Sequence, residues 1–276
     1  MPNQIGERIV TQELVHGGVL IVRFNRPERA NAWSEAMERS YYEAIDRSVS
    51  DSDVRAVVIT GAGRTFCPGM DMQRLREIAE EGGSYELQRR PQTLLRSVPK
   101  PVIAAVNGAC AGVGFVQALM ADIRYTAHDA KWTAPFAKLG LVAEDAIAWR
   151  LQRVAGEETA ADLLLSGRVI DGDEAVSMRI ASRAYPRDQV LQEALSYARH
   201  FATRSPTAMA YIKRQLLLDA ESGAESARQR ALQYLAEARS CGDYADGVRA
   251  YRDARPPHFD GLLDGQYLEL PKREDA

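Results

Sequence analysis

Short runs of β-branched residues alternate along the chain with glycine-bearing turns and with stretches of helical spacing. Ile9–Glu13 and Val19–Phe24 read as two strands, and His16-Gly17-Gly18 between them is a hairpin signal. Asn25-Arg26-Pro27 ends the second strand, since proline cannot donate to a ladder. A helix is expected from about Ser34 to Ser48, with Ser34 as its N-cap. Val54–Thr60 has the pattern of a buried strand and is closed by Gly61-Ala62-Gly63. Arg64–Asp71 reads as a loop, and Met72–Glu80 as a helix broken by Gly82-Gly83. Tyr85–Ser97 reads as a further helix despite Pro91. Val98-Pro99-Lys100-Pro101 stiffens the entry into a strand over Val102–Val106. Asn107-Gly108 then turns the chain, Val113–Ala121 is helical, and Ile123–Thr126 returns to a strand.

A strand–loop–helix order therefore recurs, which predicts an α/β layer arrangement. From about Asp188 onward the strand signals vanish. Gln189–Thr203, Pro206–Ala220, Ala224–Ser240 and a short Tyr244–Asp253 read as helices. The expected division is a core over residues 1–195 and a helical region over 196–276. The helices are too few for a rich core of their own, so they are expected to pack on the core or on another subunit.

Composition narrows the function classes. Apolar residues make up 46% and charged residues 26% of the 276, an ordinary globular balance. Lys and Arg number 35 against 38 Asp and Glu, a net charge of −3, so no basic excess points to nucleic acid. Cys67, Cys110 and Cys241 form neither a disulfide framework nor a zinc spacing. With no apolar segment of signal-peptide length at the start, a reduced cytoplasmic compartment is the expectation. Pro101–Ala121 carries no charge, yet Asn107, Gly108, Gly112, Gly114 and Gln117 interrupt it. It reads as buried strand, turn and helix rather than as a membrane span.

Two segments, Gly61–Gly69 and Gly108–Gly114, are dense in glycine, and each lies between a strand and a helix. No GK[ST] follows either, which excludes a P-loop. Gly112-Val113-Gly114 opens a GxG, but Gln117 stands where a dinucleotide fingerprint needs its third glycine. Two readings stay open from spacing alone. One is plain strand-to-helix turns. The other is a pair of backbone N–H donors converging on one carbonyl oxygen, an oxyanion hole.

Further motifs bear on this choice. They are Asn25-Arg26-Pro27 with Asn31-Ala32, Thr65-Phe66-Cys67-Pro68-Gly69-Met70-Asp71, and Lys100 through Gly108. Ala121-Asp122-Ile123-Arg124 and Leu165-Ser166-Gly167-Arg168 follow. In this order they resemble the crotonase (enoyl-CoA hydratase/isomerase) superfamily from about residue 9 to 260. The resemblance implies a spiral of ββα units, a C-terminal helical trimerisation region and an acyl-CoA thioester substrate. It implies that Met70 and Val113 supply the two oxyanion N–H groups. It also implies substrate contacts around Arg29, Ala30, Ala32, Cys67, Gly69, Gly112 and Phe136. Tyr251, Arg255 and Phe259 would reach a neighbour's nucleotide, with Ala254 where the family often has lysine. The resemblance implies no cofactor beyond the coenzyme A of the substrate, and no metal.

The chain departs from the hydratase pattern at both water-holding glutamates. Val116 and Phe136 occupy those positions, and neither can exchange a proton. Gly140-Leu141-Val142-Ala143-Glu144-Asp145 instead resembles the stretch that carries the catalytic acid in dienoyl-CoA isomerases and chlorobenzoyl-CoA dehalogenases. The matching residue is Glu144. Asp145 is expected to point away or to cap a helix starting near Ala146. Burial beside Phe115, Trp132, Phe136 or Trp149 would raise the pKa of Glu144 and suit it to proton abstraction. The expected function is an acyl-CoA enzyme of the hydratase/isomerase type with Glu144 as acid and base. A non-catalytic acyl-CoA binder, or a hydrolase or dehalogenase using the same carboxylate, are the alternatives. A homotrimer or dimer of trimers is expected, with neither nucleic-acid nor membrane partners.

Overall fold

The computed structural model describes residues 8–80 and 90–262. Strands β1 (Val10–Val15) and β2 (Val19–Phe24) form the expected hairpin, with Val15 opposite Val19. Helix α1 (Glu35–Ser50) starts where Ser34 accepts the Met37 N–H, the capping bond that a serine at this place supplies. Then come β3 (Ala56–Gly61), β4 (Thr65–Cys67) and α2 (Met72–Glu80). The next unit is β5 (Val102–Val106), β6 (Ala109–Ala111) and α3 (Val113–Met120). The third opens with β7 (Ile123–Ala127) and β8 (Trp132–Thr133), followed by α4 (Ile147–Ala155), α5 (Glu157–Ser166) and α6 (Gly172–Ser177). The chain ends with β9 (Arg183–Tyr185), α7 (Val190–Ala198), α8 (Pro206–Leu218), α9 (Ala224–Ser240) and α10 (Gly242–Arg252).

Two sheets result. The larger has the order β1-β2-β3-β5-β7-β9, parallel except for β1, and the smaller has the order β4-β6-β8, all parallel. Each central strand of the large sheet thus hands the chain to a short strand of the small one. That is the ββα spiral. Every residue of β3 and β5 is buried, which is why their sequences are apolar runs rather than alternations. Helix α3 is buried along all eight residues, and α7 packs across β3, β5 and β7.

Three expectations need correction. The loop over 64–71 contains β4, and the turn after Asn107 contains β6. A three-residue strand beside glycines has too few positions to show a period of two. The helix expected over Tyr85–Ser97 lies partly on residues 81–89, outside the described residues. Its described part is a 3-10 turn over Gln92–Arg96 that begins directly after Pro91, a residue with no N–H to continue an earlier helix. Strands β8 and β9 and helices α5 and α6 had no sequence expectation.

Candidate functional site

The small sheet brings the two glycine segments together. β4 and β6 run parallel, with Cys67 opposite Cys110, so the segments that follow them leave at one end. There, a Cβ built on Gly112 would stand 3.6 Å from the Cα of Gly69. Gly112 adopts φ 49° and ψ −123°, a region that residues with a side chain avoid. Trp33 fixes the first segment: its N–H donates to the Gly69 carbonyl at 2.8 Å, and its own carbonyl accepts from Asp71 at 2.9 Å. That parallel bridge uses the residues on either side of Met70 and leaves Met70 N–H directed away from Trp33. Val113 is the first residue of α3, where N–H groups have no intrahelical acceptor. Among the described residues, no backbone carbonyl takes either N–H.

Several polar residues hold these segments, and sequence reasoning gave them no role. Asn31, buried and left-handed at φ 60°, accepts the Arg26 N–H and donates to the carbonyls of Ala62 and Thr65. Arg26 donates to the Ala32 carbonyl at 2.8 Å and reaches the Asp71 carboxylate at 3.4 Å. Asp71 in turn accepts the Gln73 N–H at the start of α2. Asn107 donates to Gly61 and Gly63 carbonyls, both at 3.0 Å. The available signal was their place: short polar residues beside turns bond to nearby backbone.

The expected coenzyme A residues lie close in sequence, but their groups are partly committed. Ala30 N–H donates to Pro27 and Ala32 N–H to Arg29 within the turn over 26–32. Arg29 and Ala30 are exposed, Ala32 is half-buried, and the side chain of Cys67 is fully buried. Any ligand contact at Cys67 therefore involves backbone. At the other end of the chain, Arg255 is paired with Asp246 at 2.5 Å, and Tyr251 is 91% exposed.

Val116 sits one turn into α3 and is fully buried, and Phe136 is 4% exposed. Glu144 lies between a 3-10 turn over Ala137–Leu139 and α4, and its carbonyl accepts the Ile147 N–H at 2.9 Å. Glu144 is half-buried, whereas Asp145 is exposed and left-handed at φ 46°. The N-cap of α4 is Ala146, also left-handed, so the expected Asp145 cap gives way to a residue whose side chain has no acceptor. The aromatics named as possible neighbours of Glu144 have other partners. Phe115 and Trp132 form a fully buried edge-to-face pair with centroids 5.2 Å apart. Trp149 is covered by two guanidinium groups, Arg96 at 4.6 Å and Arg153 at 4.3 Å. These rings are core and surface stack respectively.

Burial pushes the Cys67 thiol up to about 12 and raises Cys110 as well, so neither is a thiolate nucleophile near neutral pH. Among the described residues, no group of three or more His, Cys, Asp or Glu could hold a metal ion, and no helix is long and apolar enough to cross a membrane.

Comparison with known proteins settles which fold family this geometry belongs to. The sequence profile of the enoyl-CoA hydratase/isomerase family matches residues 15–262. The chain belongs to that family. Among its relatives is the 1,2-epoxyphenylacetyl-CoA isomerase of Escherichia coli K12, 32% identical over 254 residues, covering 90% of this chain and 97% of the relative. The 2,3-dehydroadipyl-CoA hydratase of the same organism is 30% identical over 246 residues, covering 88% and 95%. The crystal structure of an enoyl-CoA hydratase from Polaromonas sp. JS666 superposes with a TM-score of 0.84 at 27% identity, over 91% of this chain and 99% of that one. As a member of the enoyl-CoA hydratase/isomerase family with the crotonase fold, the chain is an acyl-CoA-processing enzyme of that type.

Proposed function

We propose that the chain moves a proton between carbons of an acyl-CoA thioester, with Met70 and Val113 N–H groups on the thioester oxygen and Glu144 as the acid and base. The observation that carries this reading is the contact of the Gly69 and Gly112 segments, each followed at once by an uncommitted N–H. Glu144 takes a proton from the carbon chain. The electron pair left behind moves onto the thioester oxygen as an enolate, and the two N–H groups stabilise that charge. One donor of this kind is worth about 3–4 kcal/mol. Glu144, now protonated, returns the proton to another carbon, and the double bond shifts. Val116 and Phe136 supply no second carboxylate to orient water, which favours isomerisation over hydration.

The test is exchange in heavy water. Incubated in D2O with a panel of enoyl- and saturated acyl-CoA thioesters, the enzyme is expected to add deuterium next to the thioester carbonyl, read by mass. The Glu144→Gln variant is expected to lose that exchange. Exchange of equal rate in the variant would remove Glu144 from the mechanism.

We further propose a homotrimer or dimer of trimers, a division into a core over residues 1–195 and an oligomerising helical region over 196–276, and a cytoplasmic location. Helix α9 buries no residue within its own chain, and Ile212, Leu216, Leu232, Leu235 and Val248 leave apolar surface exposed along the tail. Such surface favours a subunit contact. The described cysteines are all free, which suits a reducing compartment. Light scattering that gives a monomer at micromolar concentration would contradict the assembly.

A further inference from the structure

Helix α3 has one end in the candidate oxyanion hole and the other in a cluster of cations. Arg124 is buried and donates from Nη1 to the carbonyls of Ala121 at 2.8 Å and Leu119 at 3.5 Å. Its Nε donates to the Ile180 carbonyl at 2.5 Å. Arg150, on α4, donates from Nε to the same Leu119 carbonyl at 3.2 Å. Leu119 and Ala121 belong to the last turn of α3 and its C-cap, so two guanidinium groups close the carbonyl end of the helix.

The charges around this end do not all cancel. Asp122 is paired with Lys213 at 2.6 Å and also favours the charges of Arg96, Arg124 and Arg150, one carboxylate facing four cations. Arg96, with its Nη1 buried and without a hydrogen-bond partner, stacks on Trp149, and burial with the neighbouring Arg150 and Arg153 brings it down to about 10 against the pull of Asp122 and Glu221. Arg153 also stacks on the Trp149 ring, at 4.3 Å. Arg124 and Arg150 remain with carbonyl oxygens as their hydrogen-bond acceptors. Burial and the neighbouring Arg150 bring Arg124 down to about 10, still well above neutral pH.

A helix presents a partial positive charge at its N-terminus and a partial negative charge at its C-terminus. On a helix of eight residues, about 12 Å long, the negative end is close enough to oppose the positive one. We propose that Arg124 and Arg150 act through α3 as positioning residues for the oxyanion hole: they neutralise its carbonyl end, so that the Val113 end faces the thioester oxygen with its positive potential unopposed. The inference rests on the placement of the thioester oxygen at Met70 and Val113. Removing one such charge about 12 Å from the enolate, at an effective dielectric of about 20, is expected to slow its formation by about five- to tenfold.

Arg150 is the testable member, because it is only partly buried while Arg124 is in the core. Arg150→Gln keeps a donor for Leu119 and removes the charge. Arg150→Lys keeps the charge. The probe is hexanoyl-CoA isotopically labelled at its thioester carbonyl, followed by difference infrared spectroscopy and by deuterium exchange in D2O. Wild type is expected to lower the carbonyl stretching frequency of the bound probe. Arg150→Gln is expected to lose a measurable part of that shift and to exchange about five- to tenfold more slowly, with hexanoyl-CoA affinity within about threefold. Arg150→Lys is expected to restore both. A full wild-type shift and rate in Arg150→Gln would overturn the inference, as would a Lys variant no better than Gln. A wild-type complex with no carbonyl shift would instead overturn the oxyanion placement itself.

Discussion

The carbonyl oxygen of Cys67 lies against the Cα of Gly114: a Cβ built there would stand 2.1 Å from that oxygen and 2.8 Å from the Cys67 Cβ. The end of β4 and the first turn of α3 therefore fit together only with glycine at 114. Gly114→Ala is expected to force the two donor segments apart. A displacement of about 1 Å costs about a hundredfold in rate, so kcat should fall by that order. The urea midpoint should fall too, because the overlap is with backbone. Deuterium exchange into an acyl-CoA thioester turned over by the wild type, beside a urea melt, checks both.

Crotonyl-CoA hydration is expected to be slow. Val116 and Phe136 stand where the resemblance puts both water-holding glutamates, so Glu144 can supply at most one of the two carboxylate functions, and general acid–base catalysis is worth roughly 10²–10⁴-fold. Loss of the enoyl absorbance on wild-type enzyme measures it directly. Turnover in the range of a two-glutamate hydratase would mean that Glu144 also orients water.

Trp33 Nε1 donates to the buried Glu38 carboxylate at 2.9 Å, while the Trp33 backbone holds both neighbours of Met70. Trp33→Phe removes a donor from a buried carboxylate, which costs about 1.5–3 kcal/mol. Urea unfolding should register that loss. Acyl-CoA affinity should change less than kcat, since the donors stay in place but their support loosens.

The thiols provide a pH prediction. Cys67 is raised to about 12 by burial, and Cys110 is raised for the same first reason. In the unfolded chain a thiol titrates near about 8.5. Their contribution to stability is thus complete below about pH 8.5 and is lost as pH rises toward 12, because only the unfolded chain releases the protons early. Unfolding at pH 7 and pH 10 should show the decline. At pH 8 an aromatic disulfide reagent should react with the half-buried Cys241 and leave Cys67 and Cys110 intact, with activity retained.

Much of the spiral was legible because its large strands carry their own signal. Val102–Val106 and the run ending at Thr60 are apolar on both faces, and Ser34 and the His16-Gly17-Gly18 turn mark element ends by local chemistry. The helices Pro206–Leu218 and Ala224–Ser240 were legible for the same reason, with Ser205 and Pro206 at the start of the first. The small sheet was not. β4, β6 and β8 have three, three and two residues, and only their pairing with one another makes them strands. Only the family resemblance offered Met70 and Val113 as a donor pair. Asn31 and Asn107 were missed as its supports because their partners are backbone atoms up to 46 residues away, and Arg26 because it meets the Asp71 carboxylate 45 residues on.

If Glu144 transfers the proton while backbone N–H groups hold the thioester, substituting the two adjacent acids one at a time separates their roles. Glu144 is half-buried and Asp145 is exposed, so one substitution should reach the chemistry and the other should not. Single-turnover rate and acyl-CoA affinity are measured for wild type, Glu144→Gln and Asp145→Asn. Glu144→Gln is expected to lose about 10²–10⁴-fold in rate, with affinity within a few-fold, and Asp145→Asn to keep the wild-type rate. A Glu144→Gln variant that keeps its rate while Asp145→Asn loses it would move the proton transfer to Asp145.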